Sequence, residues 1–245
     1  MIQIFADKKA LTRAAAELIV SLAAKAVAAR GRCDIVLSGG STPQALFTLL
    51  AAPPFLAKLP WPEMHFFWGD ERLVAADDTG SNYYHAAKLL LDHVPVPKEN
   101  IHRIRGGLDQ DAAVNDYQRQ LQACAGEERQ WPRFDLVLLG LGSDGHTASL
   151  FPGSATKGAG QMGVKGATAD YEGRPSQRIT LTPAVFNDAR HLLFLVTGAN
   201  KAAAVAAVLE GKYAPEQWPA QLIKPRDGIV TWFIDEPAAA KLNKA

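Results

Sequence analysis

The stretch Phe134–Gly153, FDLVLLGLGSDGHTASLFPG, decides how the rest of the chain is read. Phe134 to Leu139 is a short apolar run rich in Val and Leu, and it stops at Gly140. Such a run suits a strand covered on both faces, as the inner strands of a parallel sheet are. Gly140, Gly142 and Gly145 then break the pattern. Ser143, Asp144 and His146 sit inside the break, and a short helical turn is expected from Thr147. In an open α/β sheet, ligands bind outside the carboxyl ends of the strands. Asp144 and His146, two residues apart across a glycine that lets the backbone turn sharply, can point into one pocket, the carboxylate orienting or charging the imidazole. A plainer reading makes Asp144 a helix cap and His146 a first-turn surface residue; the strand before them and the glycines around them weigh against it.

Working outward, Cys33–Leu37 is a second candidate buried strand, followed by Ser38-Gly39-Gly40-Ser41-Thr42-Pro43. Gly39 and Gly40 allow a ligand close to the backbone. Ser41 and Thr42 offer hydroxyls and a cap, and Pro43 suits the first position of a helix Pro43–Leu50. A turn of this kind presents amides and the positive helix end to an anion. It matches neither GxxxxGK[ST] nor GxGxxG, so a nucleotide reading has little support, and an ordinary capped turn is the plain alternative. Met64–Trp68 is a third strand candidate and ends at Gly69-Asp70-Glu71-Arg72. That tetrapeptide reads either as a solvated loop with an internal ion pair or as a source of Asp70 or Arg72 for the same pocket; spacing does not choose between them. Gln177–Thr182 alternates like a strand, with Arg178 near its start. His191–Val196 is another apolar run, and Lys201 follows where a helix begins. A cation there opposes the macrodipole, which a bound anion would relieve; an exposed lysine with a small penalty is the alternative.

The remaining segments fill in an alternating pattern. Ile2–Phe5 is a short strand, and Asp7 caps an Ala- and Leu-rich helix to Arg30 that Gly31 stops. Ser81 caps a helix Asn82–Leu91, Ile101–Ile104 is a short extended segment, and Asp109–Ala125 has helical spacing. Ser154–Pro175, rich in Gly and Ala, reads as a long loop over the site. Gly228–Ile234 is a last strand and Asp235–Lys241 a final helix. Alternating strands and helices over 245 residues, 48% of them hydrophobic, argue for one α/β domain, 1–245, with a mostly parallel sheet. A net charge of +1 gives no electrostatic footprint for nucleic acid or membrane. Cys33 and Cys124 fit neither a disulfide framework nor a metal cluster and read as packing residues. No signal peptide or membrane-length apolar run is visible, so a soluble cytoplasmic protein, a monomer or weak dimer, is expected. The polar turns assemble an anion cradle (Gly39, Gly40, Ser41, Thr42), cations (Arg178, Lys201, with Arg72) and an acid/base pair (His146, Asp144). That set suits a small phosphorylated substrate and a proton-transfer or hydrolytic step.

With SGGSTP at 38–43, WGDERLV at 68–74, SNY at 81–83, DLVLLGLGSDGHTASLFP at 135–152, RITLT at 178–182 and GANKA at 198–202, the chain resembles the 6-phosphogluconolactonases of the glucosamine-6-phosphate isomerase/6-phosphogluconolactonase family. The resemblance implies a three-layer Rossmann-like fold and hydrolysis of a phosphorylated sugar lactone without a cofactor or metal. It implies that Gly39–Thr42, Arg178 and Lys201 hold the phosphate, that His146 is the general base set by Asp144, and that Asp70 and Arg72 line the sugar end. Two features depart from the pattern: Ala75-Ala76, where proline is frequent, and the glycine-rich 154–175 segment. The isomerases of the same family resemble this chain in the phosphate turn and the DGH. They carry a glutamate five residues after that histidine, where this chain has Phe151. A sugar-phosphate-sensing module of a transcription regulator is a second alternative. It would need a DNA-binding element, and this chain is expected to lack one.

Overall fold

The computed structural model describes residues 1–155, 162–170 and 175–243. In chain order they form β1 (Ile2–Phe5), α1 (Lys8–Arg30), β2 (Cys33–Leu37), α2 (Ser41–Leu50), β3 (Met64–Trp68), β4 (Asp70–Arg72), α3 (Asn82–Leu89), β5 (Ile101–His102), α4 (Gln110–Cys124) and β6 (Leu136–Leu139). Then follow β7 (Val164–Thr168), β8 (Gln177–Leu181), α5 (Pro183–Phe186), β9 (His191–Val196), α6 (Ala202–Leu209), β10 (Ile229–Asp235) and α7 (Glu236–Ala239). Seven strands make one sheet in the order β1-β10-β9-β6-β2-β3-β5, and every pairing in it is parallel. Every residue of β2, β6 and β9 is buried, which requires cover on both faces.

The apolar composition of these runs explains the core. Phe66, Phe67, Trp68, Phe134 and Phe194 are buried almost completely, and Phe194 stacks on Trp232 at a centroid distance of 3.7 Å. Tyr117, on the buried face of α4, both donates its hydroxyl to the Trp68 carbonyl and accepts from the Trp68 amide, each at 2.9 Å. That pair of bonds secures the end of β3. Asp135 ties the amino ends of β2 and β6 together. Its carboxylate accepts from the Asp34 amide at 2.9 Å and pairs with Arg30 and Arg190.

Several local expectations are corrected. Asp70–Arg72 is not a loop but a strand, and the segment 154–175 contains β7; both join β8 in a three-stranded antiparallel sheet ordered β4-β8-β7. Residues 156–161 and 171–174 of the expected loop lie outside the described residues. Helix α2 starts at Ser41, two residues before Pro43, with Gly40 as its N-cap and no side-chain cap. The turn after Thr147 is not helical: Thr147 bridges to Leu150, and Ala148 adopts φ 47°. Among the described residues, no helix is long and apolar enough to cross a membrane.

On β3 and β5, His65 Nδ1 and His102 Nε2 lie 3.2 Å apart with their rings stacked, and the Cys124 thiol is 3.6 Å from His102 Nδ1. Burial, followed by the nearby Arg32 guanidinium, pushes both imidazoles down to about 4. Between that value and the unfolded value of about 6.5 the native state binds fewer protons than the unfolded chain. The neutral pair therefore contributes stability above about pH 6.5 that is lost as the pH falls toward 4. Thermal unfolding followed by circular dichroism should show Tm falling through that window, and His102→Gln should flatten the fall. An identical pH profile for the variant would remove the pair as its source.

Candidate active site

After β2 the chain proceeds to one side of the sheet, through β3 and β5; from β6 onward it fills the other side, through β9 and β10. The order of the strands thus reverses between β2 and β6, which are direct neighbours, Ile35 opposite Leu136 and Val36 opposite Val137. Crevices at such reversals are the ligand sites of open α/β sheets. Both loops singled out in the sequence leave the sheet here, residues 38–43 from β2 and 140–147 from β6. They line one cleft of about 250 Å³.

His146 faces this cleft, and its Nδ1 lies 2.6 Å from Asp144 Oδ1. Asp144 stands behind the imidazole and is not part of the cleft wall. The turn that carries them is internally bonded: the Gly142 amide donates to the His146 carbonyl at 2.7 Å, and the Gly145 amide to the Gly142 carbonyl at 3.1 Å. A Cβ on Gly142 would collide with both His146 Nδ1 and Asp144 Oδ1, so the pair needs a glycine here. A carboxylate on Nδ1 fixes the tautomer and leaves Nε2 to accept a proton. The buried Phe151 ring lies 5.1 Å from the imidazole and 5.6 Å from the Arg178 guanidinium carbon.

Part of the cleft wall is cationic. The antiparallel pairing of β4 with β8 sets Arg72 directly across from Arg178, and both line the cleft together with Lys201. Like charges directly opposite each other oppose pairing, and a bound anion reverses that sign. The start of α2 faces the same space. Its first-turn amides have no intrahelical partners, and Gly40 supplies no side-chain cap. Arg72 donates from Nη1 to the Gly80 carbonyl, while its buried Nε has no hydrogen-bond partner among the described residues. Asp70 is buried and accepts from Ser149 Oγ at 2.7 Å. Gly39, Gly40, Ser41, Thr42, Asp70, Arg72, Arg178, Lys201 and His146 therefore all meet at one cleft.

The wall also includes residues not anticipated as site residues, among them Asn82, Ala148 and Thr197. Asn82 Oδ1 occupies the space a Cβ on Gly39 would need, so this glycine and this asparagine fit as a pair. The SNY motif at 81–83 carries the only sequence signal for it. Thr197 bonds to Thr42 hydroxyl to hydroxyl at 2.8 Å and joins the end of β9 to the start of α2. Among the described residues, no group of three or more His, Cys, Asp or Glu side chains could hold a metal ion.

Residues 6–232 match the family model for glucosamine-6-phosphate isomerases/6-phosphogluconolactonase. The chain belongs to this family. A 6-phosphogluconolactonase of Synechocystis sp. is 37% identical over 244 residues, covering 99% of this chain and 98% of that protein. The solved 6-phosphogluconolactonase of Trypanosoma brucei superposes with a TM-score of 0.87 at 31% identity, covering 99% of this chain and 98% of that one. A solved monomeric glucosamine-6-phosphate deaminase superposes with a TM-score of 0.83 at 20% identity over 98% of this chain and 99% of that one; that likeness concerns the fold alone. The fold shared with these structures is a parallel sheet flanked by helices, and in this chain the cleft lies at the reversal point of the strands.

The short contact between His146 and Asp144 should give a downfield Nδ1–H proton resonance in water, absent in His146→Ala. Gly142→Ala should remove it as well, by forcing the two side chains apart. An unchanged resonance in that variant would show that the turn absorbs a Cβ without moving the pair.

Proposed function

We propose that the chain hydrolyses 6-phospho-D-glucono-1,5-lactone to 6-phospho-D-gluconate, as a cytoplasmic enzyme of the oxidative pentose phosphate pathway. The observation that supports this reading is that His146, held by Asp144, shares one cleft with Arg72, Arg178 and Lys201. The names of the family members at 37% and 31% identity support it.

In this reading the phosphate rests on the start of α2 between Arg178 and Lys201, where backbone amides and cations converge. The lactone carbonyl then faces His146. Neutral His146 accepts a proton at Nε2 from a water as the water oxygen adds to the carbonyl carbon, and the Asp144 carboxylate stabilises the imidazolium that forms. The amides of Gly142 and Gly145 are already donated within their own turn, so the charge growing on the carbonyl oxygen has to be met by other donors of the cleft wall. As the bond from the carbonyl carbon to the ring oxygen breaks, His146 returns its proton to that oxygen. Water is consumed, the acid is released and His146 is neutral again. A lactone ester is already reactive, so a positioned base worth about 10²–10⁴-fold, with orientation, is a proportionate device.

An isomerisation of an amino sugar phosphate is not favoured, because the position five residues after the histidine is the buried apolar Phe151 packed on the imidazole.

Acid release from freshly prepared lactone, measured against spontaneous hydrolysis, tests the proposal. The native chain should accelerate it, His146→Ala should lose about 10³-fold, and Asp144→Asn about 10²-fold. Acceleration that survives His146→Ala would overturn the base assignment, and no acceleration by the native chain would overturn the reaction.

A further inference from the structure

Glu71 is the middle residue of β4 and only 2% exposed. Its side chain does not line the cleft, although both neighbours, Asp70 and Arg72, do. The carboxylate accepts four hydrogen bonds. Oε1 takes the amides of Arg72 and Asn82, each at 2.7 Å; Oε2 takes the Tyr83 amide at 2.8 Å and the Ser81 hydroxyl at 2.9 Å. Burial pushes this carboxyl up from its ordinary range, and the four donors act against that shift.

Those donors come from the end of β4 and the start of α3, segments separated by the loop 73–80. What they connect is the wall of the cleft. Asn82, held by its amide, donates from Nδ2 to the Asp70 carbonyl at 2.9 Å and fills the space under Gly39. Arg72, held by its amide, donates to the carbonyl of Gly80, the residue just before Ser81. Asp70, Arg72 and Asn82 thus depend on one carboxylate that touches none of the cleft space.

We infer that Glu71 is a positioning residue, whose buried carboxylate locks β4 to the start of α3 and so aims Arg72, with Asp70 and Asn82, at the bound sugar phosphate. Glutamine cannot replace it. One amide oxygen can serve the donors at Oε1, but an NH₂ would face the two donors at Oε2. The loss should fall on ground-state binding, because Arg72 recognises the substrate whereas His146 stands on a separate loop.

The inference rests on the lactonase reading for its kinetic assay, so binding of the product 6-phosphogluconate by titration calorimetry is measured beside it. Glu71→Gln should raise KM and the product Kd about tenfold while kcat stays within about threefold. The decisive arm is a double-mutant cycle. In an Arg72→Ala background, Glu71→Gln should add less than about twofold, because the residue it positions is gone. Equal penalties in both backgrounds, or a lowered Tm with native KM and Kd, would overturn the inference and leave Glu71 a structural group only. If Glu71→Gln does not fold, Ser81→Ala removes one of the four bonds. It should raise Kd about threefold in the native background and not in Arg72→Ala; no rise overturns the inference. A native chain that binds the product without turning over the lactone defeats the lactonase reading, while the Kd cycle still decides Glu71. A native chain that binds no product overturns both.

Discussion

The pairing of β2 with β6 is the constraint on which the site depends. These two strands lie where the sheet reverses its order, so the loops that leave them open into one crevice rather than onto opposite faces. Their amino ends are joined by Asp135, which accepts from the Asp34 amide and is met by Arg30 and Arg190. A buried carboxylate without those partners would be costly, and with them it sets the register. Register matters because a one-residue slip turns every side chain of a strand to the other face. It would also move the DGH turn relative to the SGGST turn.

The second sheet converts that crevice into a site with two chemically different walls. Strand β4 follows β3 after a single residue, Gly69, whose amide and carbonyl bond to Leu37 and Leu181. The parallel sheet therefore passes directly into the antiparallel one. Its pairing with β8 brings Arg72 and Arg178 face to face, with Lys201 arriving from the end of β9. Three cations are thus gathered on one part of the cleft wall. In the same cleft, the imidazole rests between a carboxylate and the apolar Phe151 ring. In the proposed reading the cations hold the anion and the imidazole moves the proton.

Legibility in the sequence followed the range of the interaction. The fully buried strands β2, β6 and β9, and β3 with only His65 half-buried, were visible as apolar runs, because burial on both faces leaves a composition that needs no partner to be recognised. Strand β4 was not visible. Asp-Glu-Arg carries no period-two pattern, and only its bonds to β8 and the packing of Glu71 make it a strand. Strand β7, Val-Lys-Gly-Ala-Thr, was hidden by its glycine and lysine in a segment read as loop. Helix α2 began earlier than Pro43 suggested, because proline is accepted anywhere in a first turn where amides lack partners.

The sequence by itself determined the chemical inventory: an imidazole beside a carboxylate, glycine turns at strand ends, cations near helix and strand starts, and the family motifs that join them. These are local facts, set by residue types and spacings of a few positions. Only the tertiary structure decided that Asp70 and Arg72 belong to the cleft, that Arg72 and Arg178 stand in register, and that Asn82 fits beneath Gly39. Those relations join residues tens to more than a hundred positions apart. They exist because strand pairing and close packing, rather than any local preference, fix which distant side chains share a surface.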